Sequence, residues 1–212
     1  HEDPRRQRQM CIRDRLACCD VIIATKDSTI AMGGPAMIEG GGLGIYTPEE
    51  VGPMSFQVPN GVVDILVEDE AEAVQVAKQY LSYFQGSTDS WEAPDQRKLR
   101  HIVPENRLRL YDMREIIATL ADKDSVLEIR AGFGVGVITC FIRVEGRPMW
   151  VIANNPHHLA GAIDSDAADK GTRFIQLCDA FDIPILSLMD CPGMMVGPDV
   201  EATALVRHCV RM

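Results

Sequence analysis

The run IPILSLMDCPG, residues 183–193, decides how this chain folds. From Ile183 to Met189 it is apolar at almost every position and of strand length, and a strand without polar alternation is expected to be buried on both faces of a sheet. Asp190-Cys-Pro-Gly193 ends it. Just upstream, Ser165 to Phe181 repeats Ala167, Gly171, Phe174, Cys178 and Phe181 on one helical face, with small residues at Ala167 and Gly171 that permit close packing. Downstream, a further helix is expected to begin near Asp199. Helix, buried strand, turn and helix in succession are the signature of an α/β layer.

Working outward, Ser125–Arg130, Val135–Val144 and Pro148–Ala153 are β-rich, and Glu145-Gly146 suits a tight hairpin turn between the last two. Asp112 and Glu115 stand as N-cap and N3 of a capping box before Ile116, Ile117 and Leu120. From Gln85 to about Leu110 no periodicity survives, and residues 87–110 are read as a linker between two units, 16–86 and 111–212. In the first unit, Asp20–Thr25 and Ser28–Met32 read as two buried strands around the turn-prone Lys26-Asp27. Gly33-Gly34-Pro35 stops the second, Pro35 suits the first turn of a helix through Met37 and Ile38, and Gly40 to Gly44 form a loop. Gly61–Val67 reads as a strand, and Glu68–Glu72 opens a helix with Val74, Ala77, Leu81 and Phe84 on its apolar side. The halves share a strand, Gly-Pro turn, helix arrangement, at Ile30–Ile38 and at Leu186–Ala204.

Composition narrows the function. The chain has 21 basic and 31 acidic residues for a net charge of −10, which repels phosphate backbones and argues against a nucleic-acid partner. No apolar run nears the roughly 20 residues that cross a bilayer and no secretory leader is visible, so the expectation is a cytoplasmic protein without membrane attachment. Seven cysteines (Cys11, Cys18, Cys19, Cys140, Cys178, Cys191, Cys209) include no C-x-x-C pair and read as reduced, mostly buried thiols. Residues 1–15, HEDPRRQRQMCIRDR, hold five arginines without apolar periodicity. They read as a non-native arm, MCIRDR resembling translated sequencing-adapter text, with a solvated basic arm as the alternative. Met212 interrupts a helical pattern, so the chain reads as an internal fragment.

Most catalytic signatures fail. Gly132-Phe-Gly-Val-Gly136 runs on into a strand, whereas a dinucleotide fingerprint must open a helix. His157-His158 has no ligand partner at zinc-like spacing, so no metal is expected. Ser187 lacks a G-x-S-x-G elbow and reads as a core serine. Asp190, at the carboxyl end of a strand, stands where α/β sheets bind ligands, or else it caps the next turn.

Several colinear motifs across residues 16–212 add a resemblance: Met32-Gly-Gly-Pro-Ala-Met-Ile38, Pro48-Glu-Glu-Val-Gly52, Tyr111-Asp-Met-Arg-Glu-Ile116, Ala153-Asn-Asn-Pro156, Lys170-Gly-Thr-Arg-Phe174, Cys178-Asp-Ala-Phe-Asp-Ile-Pro184 and Asp190-Cys-Pro-Gly-Met-Met-Val-Gly197. Together they resemble the carboxyltransferase subunits of biotin-dependent acyl-CoA carboxylases of the propionyl-CoA and methylcrotonyl-CoA type. The resemblance implies parts of two crotonase/ClpP-like domains of the ββα superhelix type. It also implies transfer of a carboxyl group from carboxybiotin to the α carbon of a short or branched acyl-CoA through an enolate, with the freed ureido nitrogen taking the α-proton. No side chain need act as base, and backbone N–H groups hold the negative oxygens. The implied cofactor is biotin on a partner, the implied partners are biotin carboxylase and biotin carboxyl carrier, and a homo-oligomer is expected because family sites form between domains of different subunits. The family's two oxyanion glycine pairs are expected before Leu16 and after Met212, so what carries over is lining. Gly33, Gly34 and Pro35 fall on the acyl-CoA side, and Asn155, Pro156, Asp190, Pro192, Gly193 and Gly197 on the biotin side. Where many relatives have valine or threonine this chain has Cys191, and Met194-Met195 replaces a Phe-Leu pair. A biotin-linked decarboxylase or transcarboxylase keeps the same fold, and a non-catalytic CoA-binding module is the alternative from another class.

Overall fold

The computed structural model describes residues 16–106 and 108–212, so the arm at 1–15 and Cys11 lie outside it. The chain divides into two compact units, one ending at Gln75 and one beginning at Val76.

In the first unit, strand β1 (Ile23–Thr25) pairs in parallel with β2 (Ile65–Val67), Ile23 opposite Ile65. The crossover carries three short helices, α1 (Pro35–Gly40), α2 (Pro48–Val51) and α3 (Met54–Gln57). Proline opens α1 and α2, and α2 has a reciprocal capping box between Thr47 and Glu50. The core is small, with Ile22, Ala24, Met54 and Val63 flanked by Leu16, Ile30 and Val58. Ser28–Met32 is not the expected strand. Thr29 makes one bridge to Pro53, the Ile30 N–H donates to the Gly52 carbonyl and the Gln57 amide donates to the Ile30 carbonyl, so its backbone is satisfied without a ladder. A Cβ on Gly52 would stand 2.0 Å from that Ile30 carbonyl oxygen, which fixes glycine there.

Helix α4 (Glu70–Ser82) contains the division between the units. Its expected apolar side is only partly right. Val74 and Leu81 are exposed, whereas Tyr80, Tyr83 and Phe84 carry the packing, because aromatic area outweighs the aliphatic positions.

The second unit holds a four-stranded sheet of order β3 (Leu127–Ile129), β4 (Val137–Val144), β5 (Arg147–Asn154), β6 (Ile185–Leu188), antiparallel except for the β5–β6 pair. Before it lie a 3-10 turn at Gln96–Lys98, α5 (Leu99–Ile102) and α6 (Met113–Leu120). After β5 come a 3-10 turn at Leu159–Gly161 and α7 (Ser165–Ala180), and beyond β6 are α8 (Pro198–Glu201) and α9 (Leu205–Cys209). Period-two alternation decides the layers. Ile138, Cys140, Ile142, Val151 and Ala153 pack against Met113 and Ile117 of α6 and Ala121 at its C-cap. On the other face, Phe141 and Trp150 meet edge to face at 4.9 Å, Tyr83 stacks on Phe141 at 5.5 Å, and Phe174 of α7 lies 5.8 Å from Trp150. The hairpin turn sits at Glu145-Gly146 as expected, both with positive φ, and Asp122 accepts from both of their N–H groups. The buried Arg143 guanidinium donates to the carbonyls of Ser82, Gly86 and Gly146, tying the segment after α4 to the sheet. Asp112 caps α6 by accepting from the Arg114 N–H, and Asp164 caps α7 by accepting from the Ala167 N–H.

Three expectations need correction. Strand β6 is not buried on both faces. It is one of the two edge strands of this sheet among the described residues, and Ile185 and Ser187 point to an open face, so Ser187 is exposed rather than a core serine. An apolar run reports a preference for burial, not which faces are covered. Phe181 is exposed at the end of the α7 stripe, whose other members are buried. Of the six described cysteines only Cys140 and Cys178 are buried, although all six are free thiols.

Candidate functional site

The first turn is built from Gly33, Gly34 and Pro35. Gly34 is the N-cap of α1 with extended backbone (φ −85°, ψ 171°), and its carbonyl accepts from the Met37 and Ile38 N–H groups. Neither glycine is needed to satisfy its own unit. A Cβ on Gly33 would meet only Met37 at 3.7 Å, and one on Gly34 would meet nothing within 4 Å. Met32 and Met37 beside it are exposed, leaving an apolar, backbone-rich surface.

The second turn follows β6. Asp190 accepts a 2.7 Å hydrogen bond from the Tyr111 hydroxyl. Burial and the Asp190 carboxylate push that phenol up to about 12, so it stays a donor across the neutral range. The Asp190 carbonyl lies 2.3 Å from where a Cβ on Gly161 would stand, and Gly161 has φ +84°. Further on, the Ile163 N–H donates to the Gly193 carbonyl at 3.1 Å and the Met195 N–H donates to the Ile163 carbonyl at 2.8 Å. The Cys191 sulfur stands 3.2 Å from the Gly193 nitrogen and accepts its N–H, a role that a valine side chain has no atom to fill. Gly193 and Gly197 have φ of +132° and +127°, and Gly197 is the N-cap of α8. Pro192 and Gly193 are exposed.

Tyr111 and Asp190, with Pro156, Ala160, Val103 and Arg109, line a groove of about 440 Å3. Its wall at Leu159-Ala160 is left-handed (φ 49° and 52°), a conformation that costs a non-glycine residue of order 1 kcal/mol or more and persists only where neighbours over-determine it. Here the neighbours are explicit. The Asn154 amide donates to the Gly161 carbonyl, the Gly161 N–H donates to the His158 carbonyl, and the His158 ring meets Asp164 at 2.9 Å. That contact also accounts for His158, while His157 is exposed beside it, and among the described residues no group of three His, Cys, Asp or Glu is placed to hold a metal ion.

Of the sequence-picked residues, the structure brings Pro156 and Asp190 together in this groove, with Pro192, Gly193 and Gly197 on the turn leading away from it. Asn155 is different. Its amide donates to the Val135 carbonyl, its side-chain oxygen accepts from the His157 N–H, and it is buried, so it braces the loop instead of presenting a polar group. Gly33, Gly34 and Pro35 lie in the other unit. Tyr111, Arg109 and Gly161 were not singled out from sequence. Tyr111 did stand in a quoted motif, but its partner lies 79 residues away, beyond any local periodicity.

The carboxyl transferase domain family matches residues 16–212. The chain belongs to the carboxyl transferase family. With it comes the crotonase-like fold that the motifs led us to expect. The uncharacterized carboxylase YngE of Bacillus subtilis is 36% identical over 207 residues, which cover 92% of this chain and 40% of that protein. A solved single-chain, multi-domain long-chain acyl-CoA carboxylase superposes with a TM-score of 0.92 at 57% identity, over 94% of this chain and 20% of that one. The transcarboxylase 12S hexamer, solved with methylmalonyl-coenzyme A and methylmalonic acid bound, gives a TM-score of 0.79 at 32% identity, over 92% of this chain and 39% of that one. The chain thus spans about two fifths of the length of the curated relatives it matches. No described helix is long and apolar enough to cross a membrane.

Proposed function

We propose that the protein of which this chain forms a part moves a carboxyl group from carboxybiotin to the α carbon of an acyl-CoA. The observation that carries this is the match along residues 16–212 to a carboxyl transferase domain, at 57% identity to a long-chain acyl-CoA carboxylase. That identity favours a long acyl chain over the short or branched one implied by the propionyl-type resemblance. In this reading residues 16–86 belong to an N-terminal crotonase-like domain and residues 111–212 to a C-terminal one, with 87–110 between them. Gly33, Gly34 and Pro35 border the acyl-CoA. Pro156, Asp190, Pro192, Gly193 and Gly197 border the biotin, with Asn155 bracing their loop.

The residues present suit such ligands. At Gly34 a Cβ would fill open space, so the missing side chain leaves room for a thioester to approach main chain. In the groove, a protonated phenol, a carboxylate and the Arg109 guanidinium stand beside the apolar Val103 and Pro104, a donor and acceptor set that matches a ureido ring on an aliphatic arm. Bound on its carrier, biotin supplies the carboxyl group and a nitrogen to receive the α-proton. The chain's own residues orient the two ligands and exclude water. Biotin carboxylase and the carboxyl carrier are the proposed partners, as separate subunits or as domains of the same polypeptide, in a homo-oligomer. A cytoplasmic setting fits the six free thiols.

The test supplies the full-length protein with biotin carboxylase, biotinylated carrier, ATP, labelled bicarbonate and acyl-CoAs from two to eighteen carbons. Label is expected in the longer acyl-CoAs. Absence of label in every one of them overturns the proposal.

A further inference from the structure

We propose that Tyr111 is a positioning residue for the turn at residues 190–195, setting where that turn meets the biotin-side ligand; the inference rests on the carboxyltransferase reading above. Besides the internal bond from the Gly193 N–H to the Cys191 sulfur, the turn is held to the rest of its unit at three places. At its start the Asp190 carbonyl is wedged against Gly161, and in its middle Ile163 bonds Gly193 on one side and Met195 on the other. Those two restraints are main-chain contacts that locate the backbone path. The third is a side-chain contact, the 2.7 Å bond from the Tyr111 hydroxyl to Asp190, and among the described residues it alone sets the direction of a carboxylate that is otherwise exposed in the groove.

Tyr111 reaches Asp190 from the residue before the Asp112 cap of α6, an element fixed by Met113 and Ile117 in the core. The phenol is therefore mounted on a rigid support while its partner sits at the root of an exposed turn, so orientation passes from tyrosine to aspartate. Arg109 stands on the same groove wall, and a carboxylate released by Tyr111 is free to swing toward it, which would reshape the groove without disturbing the sheet.

Tyr111→Phe removes one hydroxyl and leaves the ring to pack. Measured in the full-length enzyme, in the reverse direction with carboxylated acyl-CoA as donor and free biotin as acceptor, it is expected to raise KM for biotin about fivefold. The KM for the acyl-CoA and the melting temperature are expected to stay as in the wild type. Asp190→Ala, which removes the acceptor, is expected to raise the same constant, and the double variant to be no worse than the poorer single one, since each removes the same contact. An active wild type whose biotin KM is unmoved by Tyr111→Phe overturns the inference and leaves the carboxyltransferase reading standing. A variant that shifts both KM values and the melting temperature together also overturns it, because the hydroxyl then serves stability alone. A wild type that transfers no carboxyl in either direction overturns the underlying reading, and this inference with it.

Discussion

The two glycine-proline turns look alike in sequence and are built on opposite principles. Gly33-Gly34-Pro35 has ordinary backbone, free space where side chains would be, and a small core of Ile22, Ala24, Met54 and Val63 behind it. The turn at Asp190 to Gly197 has two glycines of positive φ, a carbonyl pressed against Gly161, two main-chain bonds to Ile163 and a tyrosine on its aspartate. In the second turn glycine is demanded by the fold. In the first it is not, and the proposed function assigns that open backbone to an approaching acyl-CoA. A glycine that the fold does not require is the stronger pointer to a ligand.

The contrast breaks most visibly at Gly161. An alanine there faces both φ +84° and a carbonyl oxygen 2.3 Å from its Cβ, so something must shift. Gly161→Ala is expected to destabilise the chain by about 3 kcal/mol, read as a lower urea midpoint at unchanged slope. A loss under about 1 kcal/mol would show that the second turn is not over-determined after all.

The fold was legible wherever local pattern carries it. The β4–β5 hairpin announced itself by alternation and a Glu-Gly turn, and α6 and α7 by an aspartate cap and an apolar stripe. Ser28–Met32 misled because β-branched residues signal extended backbone without saying that a partner strand exists. Ser187 misled because composition cannot name the covered face of β6. The motifs named Pro156 and Asp190, which both line the groove, but neither the Tyr111 hydroxyl nor the closed amide of Asn155 could be read, since both depend on contacts made only after the chain has folded.

The second unit's rigid interior can be sharpened by pH. Lys170 is 1% exposed, its amine has no hydrogen-bond partner among the described residues, and burial lowers it from the usual 10.5 to about 8, against the attraction of Glu128 and with repulsion from Arg114 and Arg130. Between those values the unfolded chain binds the proton more tightly than the folded one, so stability rises with pH. Cys140 runs the other way. Burial pushes its thiol from 9.0 to about 12, so above pH 9 the unfolded chain ionises first and stability falls. Burial pushes the Cys178 thiol the same way, to about 12, so the two thiols offset most of the lysine's rise of about 1 kcal/mol between pH 8 and 9, and the wild-type curve is expected to be nearly flat there and to fall above it. Lys170→Met is expected to make stability fall by about 1 kcal/mol more than in the wild type across that window. Variant and wild-type curves that run parallel would mean that Lys170 is not held neutral by the core.

The smallest expected effect on stability is the most telling for function. Gly34→Ala adds a methyl group to open space at φ −85°, and restricting the unfolded chain offsets any local loss, so the urea midpoint is expected to move by less than the equivalent of about 0.5 kcal/mol. If the glycine is there to admit a thioester, the same methyl occupies the ligand's place, and acyl-CoA affinity of the full-length protein is expected to fall about tenfold with biotin affinity unchanged. An alanine that is silent in both measurements would leave the first turn with neither a structural nor a ligand-binding need for glycine, and Gly34 would have to be dropped from the acyl-CoA side.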